Sequence, residues 1–193
     1  MRTFANMKTK SLIYAILPLL FLIITTNKSL AQKNGNTTKT NEADSSKTDT
    51  LPYLKYPTIP AFNILLIDST TIFNTYNIPS GKPTVLMFFD PDCKHCKATT
   101  RMICEKMDSL KDIQFYIFTA RHDMSMIQNY YKKFHLADYP NIKAVGMDTE
   151  FFFFSYYGVH YVPDLAVYDE NKKLIKLLDA SCTVQDLYQL THK

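Results

Sequence analysis

Cys93 and Cys96 are separated by two residues, and their type and spacing allow redox chemistry. They follow an apolar run at 84–89, and after them apolar side chains recur every three to four positions. This pattern predicts that the pair lies where a buried strand ends and a helix begins. The N–H groups and dipole of a helix N-terminus favour an anion, so we expect Cys93 to attack disulfides as a thiolate. Cys96, one turn inside the helix, would resolve the mixed disulfide.

The same C-x-x-C spacing also occurs in zinc sites and in structural disulfides. A zinc site needs a second pair of ligands at similar spacing, whereas Cys104 and Cys182 are far apart in the sequence. A structural disulfide between Cys93 and Cys96 would close a very small ring, which gains little chain entropy. The pattern favours a redox-active dithiol, and we predict no metal site and no cofactor. Cys104 and Cys182 could be bridged to each other or remain as free thiols packed like small apolar residues.

The other predicted elements must hold this strand end and helix start in place. Strands are predicted at 62–67, 72–75, 84–89, 113–118, within 139–147, at 165–168 and at 174–178. Helices are predicted over 96–110, 125–134, 150–157 with Gly158 as its end, and 183–190 with a capping signal at its start. Strands and helices alternate in the middle of the chain, and a hairpin lies near its end. This order indicates an α/β fold with a mixed central sheet flanked by helices.

The first 50 residues divide into two segments that are not predicted to belong to the fold. Residues 1–31 resemble a signal peptide, with basic residues ahead of 13 uncharged, mostly apolar residues at 12–24 and a small-x-small pattern ending at Ala31. The apolar run is shorter than the roughly 20 residues that span a bilayer, so we expect cleavage after Ala31; an uncleaved membrane anchor is the alternative. Residues 32–50 lack large apolar side chains and are predicted to be a disordered linker. Residues 51–193 form the predicted domain.

The positive charge of the chain belongs to the predicted signal segment. The full sequence has 22 Lys and Arg against 18 Asp and Glu, a formal net charge of +4. Residues 1–31 contain four basic residues and no acidic residue, so the remaining chain has 18 of each and is formally neutral. A neutral chain with no basic cluster argues against nucleic-acid binding. We therefore expect that the protein binds no nucleic acid. The signal segment predicts that it is periplasmic or otherwise exported.

Two sequence stretches resemble one family. GKPTVLMFFDPDCKHC and, later, YGVHYVPDLAVYDENKKL are similar to the TlpA/ResA-type branch of the thioredoxin superfamily, over about residues 58–190. The resemblance implies a thioredoxin-like fold with an N-terminal β-hairpin extension. It also implies that the Val162-Pro163 bond is cis and lies beside the cysteines. Val162 and Pro163 are then the expected substrate-binding residues, with the peptide edge at Val162 pairing with an extended substrate chain.

The sequence departs from this family where a proton acceptor is expected. Met87 occupies the position of the buried acid of thioredoxin, and Thr99 occupies the position of the glutamate of ResA-like members. Asp90, Asp92 and Asp164 are the candidate substitutes, although each could equally be a solvated loop residue.

His95 directly precedes Cys96, as in the C-P-H-C motif of DsbA-like oxidases. A histidine here can stabilise the Cys93 thiolate by a hydrogen bond and by charge. We therefore add His95 to Cys93, Cys96 and Pro163 as candidate catalytic residues. An exposed histidine without effect on the thiolate is the alternative.

These features predict a thiol-disulfide oxidoreductase that acts on protein disulfides. A reductase is favoured over an oxidase. It would need protein thiol or disulfide substrates and an upstream redox donor. A copper chaperone with a thioredoxin fold is the alternative, with His160 as the histidine placed to join Cys93 and Cys96; such chaperones usually space their cysteines by three residues. A peroxiredoxin is disfavoured because Asp90 stands where it needs threonine or serine.

Overall fold

The computed structural model describes residues 50–192. The predicted signal segment and nearly all of the predicted linker lie outside the described residues. Among the residues described, no helix is both long enough and apolar enough to cross a bilayer.

A single seven-stranded sheet forms the centre of the domain. Its strands are β1 (Asn63–Leu66), β2 (Ile72–Asn74), β3 (Thr84–Phe88), β4 (Gln114–Thr119), β5 (Ile142–Met147), β6 (Asp164–Tyr168) and β7 (Leu174–Leu178). Their spatial order is β2-β1-β5-β4-β3-β6-β7. The central strands β3, β4 and β5 are parallel, and the other pairs are antiparallel. The mixed sheet and the β1–β2 hairpin ahead of β3 agree with the expected fold.

Two apolar layers cover the sheet, which explains the continuous apolar sequence of its central strands. Every residue of β3 and β4 is buried, as expected for strands with both faces covered. The helices are α1 (Pro52–Lys55), α2 (Lys94–Glu105), α3 (Met124–Lys133), α4 (Phe152–Tyr157) and α5 (Val184–Thr191). Side chains of α2, α3 and α5 pack into one layer, and those of α4 and α1 into the other.

Helix α2 is shorter than its apolar spacing predicts. It ends at Glu105, and Met107 and Leu110 belong to a separate 3₁₀ turn. Lys106, between the two, leaves helical geometry with φ −115° and ψ 19°. Residues three apart lie on the same side of a 3₁₀ turn, so Met107 and Leu110 still reach the core. The apolar pattern therefore predicts the burial of these side chains correctly but not the helix end.

Two predicted helix ends are confirmed by their local geometry. Gly158 ends α4 with a left-handed φ of 65°, and its N–H donates to the Phe154 carbonyl at 3.0 Å. A side chain at Gly158 would also collide with Leu51, since a Cβ there would lie 2.8 Å from its side chain. Thr183 and Asp186 form a reciprocal capping box at the start of α5. Gly158 begins the segment that leads from α4 to β6, and Thr183 ends the segment that leads from β7 to α5.

Candidate active site

The loop after β3 places Cys93 at the start of α2. Cys93 is the N-cap of α2, with extended φ and ψ of −65° and 126°, and helical geometry begins at Lys94. The Asp90 carboxylate accepts the Asp92 N–H at 2.8 Å, and the Asp90 carbonyl accepts the Cys93 N–H at 3.1 Å. These bonds fold the loop into a tight turn. The Cys93 side chain is therefore at the helix N-terminus, where it is partly exposed.

Cys96 lies one turn inside α2 and has no solvent-exposed surface. Its sulfur accepts the Asp90 N–H at 3.4 Å. Burial raises the pKa of the Cys96 thiol to about 12, and the nearby Cys93 thiol and Asp90 carboxylate add to this effect. The two thiols of the pair thus differ sharply in access to solvent, and Cys96 is held in its protonated form at neutral pH.

The segment before β6 lies against the first cysteine. The Val162-Pro163 peptide bond is cis, as the family resemblance implies. The Cys93 thiol is 3.5 Å from the Val162 carbonyl oxygen and donates to it. Cys93, Val162 and Pro163, which sequence reasoning selected as site residues, are therefore brought together by the fold.

A groove beside this segment contains the two histidines that the sequence singled out. His95 and His160 are both exposed and line a groove of 560 Å³ together with Tyr161, Val162 and the 179–181 turn. Within residues 50–192, no hydrogen bond joins His95 to Cys93. His95 thus lines the groove next to the dithiol without a hydrogen bond to the Cys93 thiol among the described residues.

Two of the three candidate acids, Asp90 and Asp164, occupy different positions relative to Cys96. Asp90 adjoins Cys96, whereas Asp164 pairs with Phe88 and its neighbour Leu165 pairs with Met87. Side chains alternate between the faces of a strand, so Asp164 lies on the sheet face opposite to Met87 and Cys96. Asp164 is therefore not placed to accept a proton from Cys96.

The carboxylate of Asp164 is nevertheless unusual. Its Oδ1 atom is buried without a hydrogen-bond partner among the described residues. Burial raises the pKa of Asp164 to about 6, and the neighbouring Asp179 adds to this effect. Asp164 is therefore a largely buried carboxylate with one unpartnered oxygen, immediately after Pro163 and on the face away from the cysteines.

Arg121 is a residue near the site that sequence reasoning missed. One guanidinium nitrogen is 2.9 Å from the Asp92 carboxylate, and another is 3.7 Å from that of Asp90. Arg121 follows the end of β4, which is the parallel neighbour of β3. The carboxyl ends of parallel neighbours meet at one edge of a sheet. The position of Arg121, two residues after this strand, could therefore have indicated that it lies close to Asp90 and Asp92.

The remaining cysteines stand apart from this centre. Cys104 is half-buried and Cys182 is buried, and both are free thiols. Burial raises the pKa of the Cys104 thiol to about 11 and that of Cys182 to about 12. No group of three or more His, Cys, Asp or Glu side chains within residues 50–192 is arranged to hold a metal ion, and His160 is not part of such a group with the two cysteines.

Several solved structures share this fold at low sequence identity. A secreted disulfide oxidoreductase of Mycobacterium tuberculosis, homologous to E. coli DsbE, superposes with a TM-score of 0.55 and 19% identity over 67% of this chain and 92% of its own. A thioredoxin-family thiol:disulfide interchange protein of Chlorobium tepidum TLS gives 0.55 and 17%, over 69% and 92%. StoA of Bacillus subtilis gives 0.53 and 16%, over 69% and 98%.

The family follows from the sequence match. A search of curated proteins gives no significant match to this chain. The sequence model of the thioredoxin-like domain matches residues 76–190, which span β3, the C-x-x-C segment, the cis proline and most of α5. This match covers more than half of the 193 residues. The chain therefore belongs to the thioredoxin-like domain family.

Proposed function

We propose that this protein is an exported thiol-disulfide oxidoreductase that reduces disulfides in other proteins through Cys93 and Cys96. The observation that carries the proposal is the contrast between the two thiols at the start of α2. Cys93 is partly exposed at the helix N-terminus, whereas Cys96 is fully buried one turn further on. Disulfide exchange requires this asymmetry, because one sulfur must meet the substrate and the other must wait to resolve the intermediate.

The proposed reaction transfers two electrons in two displacements. The Cys93 thiolate attacks one sulfur of the substrate disulfide, and the other substrate sulfur leaves as a thiolate. Cys96 then loses its proton and attacks the Cys93 sulfur, which releases the second substrate thiol and leaves a Cys93–Cys96 disulfide. A dithiol of an upstream donor returns two electrons by the same exchange. The dithiol carries these electrons itself, so no cofactor is part of the proposal.

The second displacement needs a base for Cys96, whose pKa lies far above neutral. Asp90 is the candidate that adjoins this thiol, since its N–H contacts the sulfur and its carboxylate belongs to the same turn. We assign the proton-acceptor role to Asp90, directly or through one water. Attack on the mixed disulfide also draws the proton off, because the Cys96 sulfur loses electron density as the new bond forms.

Substrate docking is assigned to the segment before β6. An extended substrate chain can add to a strand edge through main-chain hydrogen bonds. Val162 presents such an edge, and its carbonyl adjoins the Cys93 sulfur. Pro163 has no N–H to donate, so main-chain pairing with the substrate is limited to the residues that precede it in the chain. His95 lines the adjoining groove, and its proposed role is to stabilise the Cys93 thiolate before the attack.

Export and the direction of electron flow complete the proposal. Residues 1–31 would direct export and be removed, or would remain as a membrane anchor. A mature chain that begins at Gln32, seen by intact mass measurement of the purified exported protein, supports cleavage; a chain that retains residues 1–31 contradicts it. An equilibrium with glutathione that strongly favours the Cys93–Cys96 disulfide supports a reductase, and one that favours the dithiol contradicts it.

Insulin reduction tests the activity. With dithiothreitol as electron source, the protein should accelerate the precipitation of insulin chains, and both Cys93→Ser and Cys96→Ser should abolish the acceleration. Cys104→Ser, a matched change of a half-buried thiol outside the pair, should leave it intact. Activity that survives Cys93→Ser contradicts the proposal. Stoichiometric copper(I) binding by an inactive protein would favour the copper-chaperone alternative instead.

A further inference from the structure

Two carboxylates lie within three residues of Cys93, on the loop that leads into α2. Asp90 and Asp92 are linked by the hydrogen bond from the Asp92 N–H to the Asp90 carboxylate, and Asp90 contacts both cysteines through its main chain. A negative charge near a thiol disfavours its thiolate form. Without compensation, this pair of carboxylates would therefore oppose the effect of the helix N-terminus on Cys93.

Arg121 provides that compensation from the neighbouring strand. Its two terminal nitrogens contact different carboxylates, that of Asp92 at 2.9 Å and that of Asp90 at 3.7 Å. The residue is itself held in place, since its N–H donates to the hydroxyl of buried Thr119 at 3.1 Å. One guanidinium thus bridges the two acids of the loop, from a position two residues after the end of β4.

We propose that Arg121 is a positioning residue of the dithiol, which sets the reduction potential of the Cys93–Cys96 pair by neutralising Asp90 and Asp92. This inference rests on the proposed dithiol chemistry. In the proposed chemistry the reduced form reacts as the Cys93 thiolate, whereas the disulfide form carries no charge on sulfur. Nearby negative charge therefore destabilises the reduced form relative to the oxidised form, and Arg121 opposes that effect.

The relevant equilibrium is a balanced two-electron exchange. The reduced protein and one molecule of glutathione disulfide give the Cys93–Cys96 disulfide and two molecules of glutathione. The other basic and carboxylate side chains at the start of α2 and in the adjoining groove are Lys94, His95, Lys97, His160 and Asp179, and they are the same in all Arg121 variants. Loss of the guanidinium should shift this equilibrium toward the protein disulfide by about fivefold, as expected for partly exposed charges.

The test measures this equilibrium in glutathione buffers of known ratio, with the protein thiols trapped and counted. Arg121→Gln should raise the constant for disulfide formation about fivefold, and Arg121→Lys should raise it less, because a lysine keeps the charge but not the two-pronged contact. Arg101→Gln, which removes an exposed arginine from α2, should change it by less than twofold. Equal constants for Arg121→Gln and the parent protein would overturn the proposal.

A second set of variants separates neutralisation from a general effect of Arg121 on folding. In protein that carries Asp90→Asn and Asp92→Asn together, no carboxylate holds the guanidinium beside the loop, so the further change Arg121→Gln should alter the constant by less than twofold. The paired Asn variant alone should shift it toward the dithiol, opposite to Arg121→Gln. A full fivefold Arg121 effect in the Asn background would overturn the mechanism. These equilibria need no protein substrate, so a failure to reduce insulin would contradict the proposed function without deciding this inference.

Discussion

The Cys93 thiol donates to the main-chain carbonyl of Val162 at 3.5 Å, so the loop that starts α2 and the segment that starts β6 meet at a single sulfur atom although they are 69 residues apart. The contact links the thiol that is proposed to attack to the peptide edge that is proposed to bind substrate. A substrate chain paired with this edge would place its disulfide next to Cys93. Geometry and proposed chemistry therefore agree on which cysteine attacks.

Selective alkylation should distinguish the two thiols. Cys96 is fully buried, and its pKa of about 12 leaves about one part in ten thousand as thiolate at pH 8. Iodoacetamide should therefore label Cys93 at least about a hundred times faster than Cys96 in the folded, reduced protein, as followed by peptide mass spectrometry. After denaturation both should react at similar rates. Equal labelling in the folded state would show that the burial of Cys96 does not protect it.

Tyr130 should anchor helix α2. Its hydroxyl donates to the Cys96 carbonyl at 3.0 Å and shares a 2.6 Å hydrogen bond with the buried Thr100 hydroxyl. Tyr130→Phe should lower the free energy of unfolding by about 1–2 kcal/mol, because the buried Thr100 hydroxyl loses its partner. Tyr131→Phe is the matched control on the same helix and should change stability by less than about 0.5 kcal/mol. Denaturant unfolding measures the stability of both variants. Equal losses of stability in Tyr130→Phe and Tyr131→Phe would contradict the anchoring role of Tyr130.

Asp164 should make the protein less stable as pH rises from about 4 to 6. Its pKa is raised from 3.8 to about 6 by burial, so the folded state binds the proton more tightly than the unfolded state in this window. The contribution is fully present below pH 4 and is lost as pH passes 6. It amounts to about 2 kcal/mol, after allowance for the partial exposure of this carboxylate.

Comparison with Asp164→Asn isolates this contribution from the other acids. The parent protein should lose stability relative to the variant between pH 4 and pH 6, as measured by denaturant unfolding at a series of pH values. Asp108→Asn, at an exposed position, should run parallel to the parent. A constant difference between the parent and Asp164→Asn across this window would contradict the buried, unpartnered state of the carboxylate.

The sequence predicts the fold well because apolar periodicity and capping signals are local. The order of strands and helices, the end of α4 at Gly158 and the capping box at Thr183 all follow from residues close together in the chain. The position of Cys93 at a helix start follows in the same way from the apolar run of β3. The break at Lys106 does not, since a 3₁₀ turn and an α-helix can bury the same side chains.

The surroundings of the site were harder to predict because they depend on contacts between distant segments. The pairing of Arg121 with Asp90 and Asp92 requires that β4 lie beside β3 in parallel register. The side on which Asp164 lies depends on its register with β3, and a shift of one residue would have turned it toward the cysteines. Neither register can be read from one sequence.

Trapping of the mixed disulfide tests the central claim most directly. Cys96→Ser protein, mixed with a peptide that contains one internal disulfide, should accumulate a one-to-one covalent adduct, and peptide mapping should locate the bond at Cys93. The adduct should be absent with Cys93→Ser, because the buried Cys96 cannot reach the substrate. An adduct formed through Cys96 in the Cys93→Ser protein, or through Cys104 in either protein, would contradict the account.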